Sequence, residues 1–390
     1  MSHKLTRRRF LHAAGAITAG ILANHDFHKN AAAAFWEALP PRVVRQDEVR
    51  PTVAIAQADS YDRDVITAQV QTMLDQIGGL SDIIRPGDRV AIKPNLTGGT
   101  YHDTNRQHPA IESYITHPEI MRALVAAITD AGAGEIVFVE GIYDAASWTQ
   151  WGYSSIAREF NCKLIDLNQP NDDGDYTQRS VGTNWLVYDQ FTFNPILEEV
   201  DVFISYAKLK NHALAGITLS MKNLIGLVPV QFYRLIPGHN YRSGLHGPDR
   251  QATTRLPAVI VDMNRARPID LAIIDGIMTA ESSEGPWNTG DYFPKAANVL
   301  LAGKNPVATD TVGAAVMGYA PGAVSLVEDP FRFCINHLEL ANHFGLGTNR
   351  LDEIEIVGAA LEDVQTSFRP YGADKTVLAT DEMTPFRGTV

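Results

Sequence analysis

The sequence predicts an α/β fold, with a largely parallel or mixed sheet, flanking helices and long loop insertions. Short apolar runs rich in β-branched residues alternate with segments whose apolar residues recur at helical spacing. Turn-forming Gly and Pro residues separate these segments. Several apolar runs also end directly in charged side chains, which is typical of parallel strands whose ends form a ligand site.

The first elements follow from these patterns in chain order. Residues 52–58 form an apolar run that predicts a strand. Residues 62–77 have helical spacing, and Gly78-Gly79 ends that helix. Pro86-Gly87-Asp88 is a turn before a predicted strand at 89–92.

The same reasoning extends to the rest of the chain. Pro118 suits the first turn of a helix over 117–131, which Gly132-Ala133-Gly134 stops before strands at 135–139 and 162–167. The remaining predicted elements are strands at 200–205, 270–274, 297–302 and 353–357 and helices at 257–265, 306–317 and 331–344.

The N-terminus has the pattern of an export signal. Thr6-Arg7-Arg8-Arg9-Phe10-Leu11-His12 joins a hydroxyl residue, paired arginines and an apolar pair, as in twin-arginine signals. The stretch Ala13 to Ala23 is shorter than the ~20 apolar residues of a spanning helix, and Ala31-Ala32-Ala33-Ala34 offers small-residue cleavage sites. We therefore expect residues 1–34 to be a signal peptide read by the twin-arginine translocase, with the mature chain periplasmic or otherwise exported. A retained membrane anchor and a chance basic helix are the alternatives.

Three segments follow the predicted signal. We expect a lead-in at 35–51, one α/β domain at 52–360 and a C-terminal extension at 361–390. Loop-rich stretches at 168–192 and 229–256 interrupt the domain. The second is long enough to be a lid or site loop, although an irregular surface excursion fits equally well.

Composition and charge exclude several classes of protein. Of the 390 residues, 45% are hydrophobic and 20% are charged, which is globular composition and excludes a wholly disordered chain. The net charge of −12 argues against a nucleic-acid partner. Removal of the five basic residues and one acidic residue of 1–34 takes that charge to −16, which disfavours anionic lipid as well. No later stretch reaches ~18 consecutive apolar residues, so we expect no stable membrane insertion of the mature chain.

The two cysteines limit the cofactors. Cys162 and Cys334 cannot supply the four thiolates of an iron–sulfur cluster, so such a cluster is not expected. In an oxidising compartment they form one disulfide or remain two unpaired buried thiols. Export of folded protein by the twin-arginine route is compatible with a cofactor whose identity the sequence does not fix, including a divalent metal.

Charged and polar side chains follow four predicted strands, where an open α/β sheet binds its ligands. Lysines suit a carboxylate or phosphate, and an imidazole titrates near neutral pH and can act as a general acid or base. A buried lysine beside other cations can instead act as a base or Schiff-base nucleophile. The predicted catalytic residues are Lys93, Lys210 and His212, and the predicted substrate-binding residues are Asn95, Lys208, Thr218, Lys222 and Asn223.

One segment predicts an anion-binding helix start. Helical spacing over 216–226 would put Thr218 and Lys222 on one face, four residues apart, with Asn223 beside them. Hydroxyls, an ammonium and backbone N–H groups at a helix start can bind an oxyanion. The glycine patterns of nucleotide and dinucleotide sites, the serine nucleophile elbow and the H-E-x-x-H zinc pattern are absent from the sequence.

The acidic residues leave two roles open. Glu140, Asp275 and Asp310 can hold a divalent metal, or they can orient the lysines in a metal-free network of ion pairs. His102, His108 and His117 lie in one polar stretch and could bind zinc, although they lack a fixed short spacing.

Seven short motifs combine these residues with their neighbours. They are Lys93-Pro94-Asn95, Thr116-His117-Pro118-Glu119, Ala207 to His212, Thr218 to Gly226, Ile274-Asp275-Gly276, Glu284-Gly285-Pro286 and Asn305 to Asp310. Taken together, these motifs resemble the domain-of-unknown-function family 362 over about residues 52–360. The resemblance implies an α/β domain, in some members fused to ferredoxin-like iron–sulfur modules, and it supplies no reaction.

Two classes of function fit these residues. The first is an exported enzyme that acts on a small carboxylate or phosphate through a lysine, histidine and carboxylate site, with or without a metal. The second is a non-catalytic periplasmic protein that binds a ligand, a metal or a redox partner. The sequence does not decide whether the chain is an enzyme.

Overall fold

The architecture is that of a computed structural model, which describes residues 25–43, 50–247, 252–287 and 292–373. The twin-arginine motif and the segment 374–390 lie outside these residues. The helices are α1 (His25–Glu37), α2 (Arg63–Gln76), α3 (Pro118–Asp130), α4 (Ala146–Gln150), α5 (Tyr153–Glu159), α6 (Ile196–Glu199), α7 (Ser220–Asn223), α8 (Val230–Tyr233), α9 (Ser243–His246), α10 (Ala252–Ala266), α11 (Pro306–Val316), α12 (His337–His343) and α13 (Leu361–Val364). The strands are β1 (Thr52–Gln57), β2 (Arg89–Lys93), β3 (Glu135–Glu140), β4 (Lys163–Asp166), β5 (Thr177–Ser180), β6 (Gln190–Phe193), β7 (Val202–His212), β8 (Gly216–Thr218), β9 (Leu271–Glu281), β10 (Phe293–Gly303) and β11 (Glu355–Gly358).

Nine strands form one mixed, mostly parallel sheet. Its order is β11-β1-β10-β9-β7-β2-β3-β4, with the short β8 paired antiparallel to β7. Along that order only β10 runs against its neighbours, because it pairs antiparallel with both β1 and β9. The predicted α/β class with a largely parallel or mixed sheet is therefore confirmed.

The sheet is buried on both faces, and side-chain alternation along each strand fills two separate cores. In β1, Val53 and Ile55 join one apolar cluster, whereas Ala54 and Ala56 join a second cluster on the opposite face. A third cluster, which includes Phe203 of β7, lies on the same face as the first. Helices cover both faces, as a sheet built of near-continuous apolar strands requires.

Side chains on both sides of the expected domain belong to this core. Phe35 of α1 and Phe368 near the C-terminus are both buried in the first cluster. The expected signal boundary at residue 34 falls inside α1, and the extension after residue 360 contributes apolar packing.

Three strands are longer than predicted. β7, β9 and β10 each have 11 residues, and β7 is buried throughout, although its last five residues include charged side chains. The strands predicted over 200–205 and 270–274 ended before these charged residues. The structure corrects both predictions, because β7 continues to His212 and β9 continues to Glu281. Ion pairing and hydrogen bonding within the protein allow these charges to lie inside the strands.

Helix α12 is shorter than the helix predicted over 331–344. The Asn336 side chain accepts hydrogen bonds from the Leu338 and Glu339 backbone N–H groups, so it caps a helix that begins at His337. Residues 331–336 are accordingly not helical.

Both cysteines are free thiols. Cys334 is buried in the first cluster and Cys162 packs against the second, on the opposite face of the sheet. This separation corresponds to the unpaired alternative.

Within the described part of the chain, no helix combines the length and apolar character needed to cross a membrane.

Candidate functional site

The polar side chains of β7 share one face of the sheet. Lys208, Lys210 and His212 alternate with Leu209 and Asn211, so the first three point one way and the other two point into the opposite core. Lys208 is 0%, Lys210 1% and His212 5% exposed. Charges buried this deeply require partners, and the partners differ for each residue.

Lys208 forms an ion pair with Asp275 of β9. The Lys208 Nζ lies 2.8 Å from Asp275 Oδ2, and both side chains are fully buried. The hydroxyl of Tyr61 donates to Asp275 Oδ1 at 2.9 Å, and the His117 backbone N–H donates to Oδ2 at 3.0 Å. Burial lowers the pKa of Lys208, and Asp275 opposes that shift. This pair ties β7 and β9 to the start of α3.

Lys93 forms a second buried ion pair, with Glu140 at the end of β3. The Lys93 Nζ to Glu140 Oε2 distance is 2.8 Å, and Lys93 also donates to Asn223 Oδ1 at 3.2 Å. Asn95 Nδ2 donates to the same amide oxygen at 3.0 Å. Burial lowers the pKa of Lys93 and Glu140 opposes this. The predicted site residues Lys93, Asn95 and Asn223 therefore lie together in one hydrogen-bonded network.

Asp310 has a different set of partners. Its carboxylate accepts hydrogen bonds from the Ser220 hydroxyl at 2.5 Å, the Ser220 backbone N–H at 2.8 Å and the Met221 backbone N–H at 2.9 Å. Burial raises its pKa to about 7. Asp310 thus holds the first turn of α7.

The three carboxylates predicted as metal ligands do not converge on one point. Glu140 and Asp275 each contact a lysine, whereas Asp310 contacts α7. Across the ranges that the structure describes, no group of three or more His, Cys, Asp or Glu side chains could hold a metal ion. The sequence left two roles open for these carboxylates, metal binding and orientation of the lysines. The contacts of Glu140 and Asp275 fit the second role.

The three histidines considered for zinc also have separate surroundings. His117 stacks on Tyr61 with ring centroids 3.7 Å apart, and its Nδ1 accepts the Glu119 backbone N–H. His102 lies beside the ring of Trp287. His117 is therefore the N-cap of α3.

Thr218 and Lys222 do not share a helix, contrary to the sequence prediction. Gly216 adopts a left-handed φ of 74° and starts β8, in which Thr218 pairs directly with Lys210 of β7. The helix begins only at Ser220, where Asp310 binds its N–H groups. Directly paired antiparallel residues project to the same face, so Thr218 lies beside Lys210 instead.

Lys210 lies close to cations and contacts no carboxylate among the described residues. Its Nζ donates to the Tyr114 carbonyl oxygen at 2.6 Å. Burial, and then the charge of Lys222, lower its pKa well below the usual range. Thr218 Oγ1 has no hydrogen-bond partner among the described residues, although its side chain is buried.

His212 is a hydrogen-bond donor toward the site. Its Nδ1 accepts the Leu214 backbone N–H at 3.0 Å, so the neutral ring carries its proton on Nε2. The Nε2 atom lies 3.9 Å from Glu284 Oε1. Burial, and then the charge of Lys222, lower the His212 pKa well below its usual range, so the ring is neutral at pH 7.

Lys222 is at the electrostatic centre of this cluster. Besides Lys210 and His212, its charge acts on His246 and His337, whose pKa values burial and Lys222 together lower to about 4 and about 3. The pKa of Lys222 itself is lowered by burial to about 8, with Glu284 opposing the shift. We call Lys210, His212, Lys222 and Glu284, together with Thr218, the Lys222 cluster.

Glu284 is the carboxylate of the Lys222 cluster. It accepts hydrogen bonds from Trp287 Nε1 at 3.1 Å and from the Ala213 backbone N–H at 3.3 Å. Burial alone would raise its pKa, but His212, Lys222 and the Trp287 bond lower it to about 2. In the sequence, Glu284 stands out only within the motif Glu284-Gly285-Pro286, and it is not among the predicted site residues.

The loop-rich segment predicted over 229–256 contributes to the site. It contains α8 and α9 and begins α10, and the ring of His246 stacks at 6.4 Å from His212. Arg242 is buried and donates to the Gly141 and Val228 carbonyl oxygens and to Asn168 Oδ1. These bonds fix the segment against the ends of β3 and β4. The other loop-rich stretch, 168–192, contains the hairpin β5–β6.

The chain is similar to a curated protein of a cyanobacterial strain. The chain is 27% identical over 287 residues to the thylakoid-associated protein sll1697 of Synechocystis sp., an alignment that covers 73% of this chain and 80% of that protein.

Two solved structures match the chain at low similarity. A Thermotoga maritima protein is 11% identical with a TM-score of 0.35, over 64% of this chain and 57% of that one. The lactate racemase apoprotein of Thermoanaerobacterium thermosaccharolyticum is 15% identical with a TM-score of 0.33, over 65% of this chain and 56% of that one. The chain thus spans little more than half of either solved protein.

A family model matches residues 90–315, a stretch that holds every residue of the Lys222 cluster. The chain belongs to that family, which is described as domain of unknown function DUF362.

Proposed function

We propose that this chain is an enzyme that acts on a small organic anion, a carboxylate or a phosphate, bound at the Lys222 cluster. The supporting observation is an imbalance of charge and hydrogen bonding. Glu284 is the one carboxylate whose charge opposes the lowered pKa values of Lys210, Lys222 and His212, and it lies 3.9 Å from His212 Nε2. The hydroxyl of Thr218, paired with Lys210 across β7 and β8, is buried without a partner in the described residues. A buried cluster with surplus donors is stabilised by a bound anion.

In this proposal the residues have distinct roles. Lys210 and Thr218 bind the anion, and the neutral His212 donates a hydrogen bond from Nε2. Lys222 takes part in the chemistry, because a lysine pKa of about 8 provides an unprotonated amine, as a base or a nucleophile, near neutral pH. His212 is then a donor and not the general base, since its Nδ1 is already occupied by the Leu214 N–H.

The two buried ion pairs support the cluster. In the proposal, Lys93 with Glu140 and Lys208 with Asp275 position the ends of β2, β3, β7 and β9 and do not contact the substrate. Asn223 serves the same purpose by accepting hydrogen bonds from Lys93 and from Asn95.

A non-catalytic binding protein is the second candidate, because the same donors would also hold a ligand without chemistry. Mass spectrometry and metal analysis of protein purified in its native form separate the two. A stoichiometric organic or metal cofactor favours the enzyme, whereas a clean protein with reversible ligand binding favours the binding protein.

Substitution of Lys210 tests the site. Loss of one charged hydrogen bond costs about 1.5–3 kcal/mol, so Lys210→Gln is expected to weaken binding of small carboxylates and phosphates by roughly 10- to 100-fold in calorimetric titrations. Lys163→Gln, at an exposed lysine that pairs with Glu135, is the matched control and should bind as the wild type does. Unchanged binding and turnover in Lys210→Gln would remove the site assignment.

We also propose that the chain is exported by the twin-arginine route, on the evidence of residues 6–12. Replacement of both Arg7 and Arg8 by lysine is expected to retain the protein in the cytoplasm, because Lys does not reproduce the recognised guanidinium pair. Cell fractionation with N-terminal sequencing of the exported form measures this. Continued export of the double variant would contradict the proposed route.

A further inference from the structure

We infer that Lys222 is a nucleophile that forms an iminium with the carbonyl carbon of a small 2-oxo acid. This inference rests on the proposed function, because it names the substrate class of the same site and the covalent step that begins the reaction.

Of Lys93, Lys208, Lys210 and Lys222, only Lys222 combines access with an amine that no described residue binds. Lys93, Lys208 and Lys210 are at most 1% exposed, and each donates to an oxygen of the protein. Lys222 is half-buried, and in the described ranges its Nζ makes neither a hydrogen bond nor an ion pair. An unengaged amine that a ligand can reach is the first requirement for attack on a carbonyl.

The second requirement is a place for the carboxylate next to that carbonyl. Lys210 and Thr218 are directly paired across β7 and β8 and project to one face. Thr218 is 1% exposed, and its hydroxyl has no hydrogen-bond partner in the described residues, so a ligand oxygen would satisfy it. Lys222 follows Thr218 by four residues on α7, which packs against both β7 and β8, so the nucleophile lies near this anion subsite. After burial, its charge also has the largest effect on the pKa of Lys210. In a 2-oxo acid the carbonyl carbon is bonded directly to the carboxylate carbon. A carboxylate bound by Lys210 and Thr218 would therefore place the carbonyl carbon beside the Lys222 amine.

The remaining residues suit the proton transfers. The neutral Lys222 amine attacks the carbonyl carbon, a C–N bond forms, and the carbonyl oxygen receives the electron pair of the C=O π bond. The Nε2–H of His212 hydrogen-bonds to that oxygen, and Glu284 carries a proton from nitrogen to oxygen. The carbinolamine hydroxyl takes one more proton and leaves as water. Counted from the ammonium form of Lys222, one carbonyl compound is consumed and one water is released, and no oxidant or reductant is needed.

The electrostatics support this chemistry. A lysine pKa of about 8 leaves roughly one tenth of the amine unprotonated at pH 7, whereas an ordinary lysine leaves less than about one part in a thousand. Burial and neighbouring cations are established ways to activate a Schiff-base lysine.

Reductive trapping tests the inference. The full protein is incubated separately with pyruvate, glyoxylate or 2-oxoglutarate in the presence of sodium cyanoborohydride, and the adducts are located by peptide mass spectrometry. With pyruvate we expect a 1-carboxyethyl adduct on Lys222. It should be absent in Lys222→Arg and unchanged in Lys163→Arg, with both variants checked for folding by circular dichroism.

The outcomes separate this inference from the proposed function. No adduct on Lys222 with any of the three acids overturns the nucleophile, and so does equal labelling of Lys222 and exposed lysines. Isobutyrate, which matches pyruvate in shape but lacks the carbonyl, is titrated in parallel. Binding of isobutyrate that Lys210→Gln weakens, without trapping on Lys222, would leave the anion site intact and remove only the covalent step. Loss of both would count against the proposed function as well.

Discussion

Replacement of Asp275 by alanine is expected to lower the free energy of unfolding by about 3–5 kcal/mol, because it leaves the ammonium of Lys208 without its counter-charge in a fully buried site. The change also removes the acceptor of the Tyr61 hydroxyl and of the His117 backbone N–H, which lie 2.9 and 3.0 Å from the carboxylate. Urea unfolding followed by circular dichroism measures the loss. A loss of this size would be a large part of the stability of an ordinary domain.

Two further variants serve as controls for Asp275→Ala. Removal of both charges in Asp275→Leu with Lys208→Met is expected to cost less than Asp275→Ala alone, since no buried charge then lacks a partner. Asp82→Ala removes an exposed partner of Lys304 and is expected to cost less than about 1 kcal/mol. If Asp275→Ala and Asp82→Ala were equally mild, the Lys208–Asp275 pair would have no structural role.

The fold class could be predicted from the sequence because each main strand contains a short apolar run, and Gly and Pro separate these runs from the helical segments. The misjudged strand end at residue 205 has a physical cause. Lys208, Lys210 and His212 were taken to follow the strand because charged residues rarely lie inside one. Their alternation with Leu209 and Asn211 was nevertheless the period of two that a strand requires, and it could have extended β7 to His212.

The composition of the site was harder to predict because its members meet only through tertiary contacts. Thr218 was assigned to a helix by spacing, but the left-handed Gly216 makes a hairpin there, and a single glycine does not reveal that conformation. Glu284 lies outside regular secondary structure after β9, and His337 is the first residue of a short helix. Neither has a local pattern that points to Lys222. The lysines of β7 were predictable because one strand carries them in sequence.

The affinity of the site for a carboxylate without a carbonyl is expected to fall about tenfold per pH unit above pH 8. Lys222 has a pKa of about 8, and only its ammonium form attracts the anion, so binding weakens as that proton is lost. His212, His246 and His337 have lowered pKa values and are neutral in this range, and Glu284 is ionised throughout it. Calorimetric titration of isobutyrate between pH 6 and pH 10 measures this fall in affinity, which we call the alkaline limb of the binding profile. Because a bound anion raises the pKa of both Lys222 and Lys210, binding should also take up protons from the buffer.

Two substitutions should change this alkaline limb in different ways. Glu284 raises the pKa of Lys222, so Glu284→Gln is expected to move the limb to lower pH while it strengthens binding below the limb by removing a repelling charge. Lys222→Met removes the titrating amine, so it is expected to weaken binding below pH 8 roughly 10- to 100-fold and to remove the limb near pH 8. Lys163→Met is the control and should change neither the affinity nor the limb. A limb that stays near pH 8 in both Glu284→Gln and Lys222→Met would refute its assignment to Lys222.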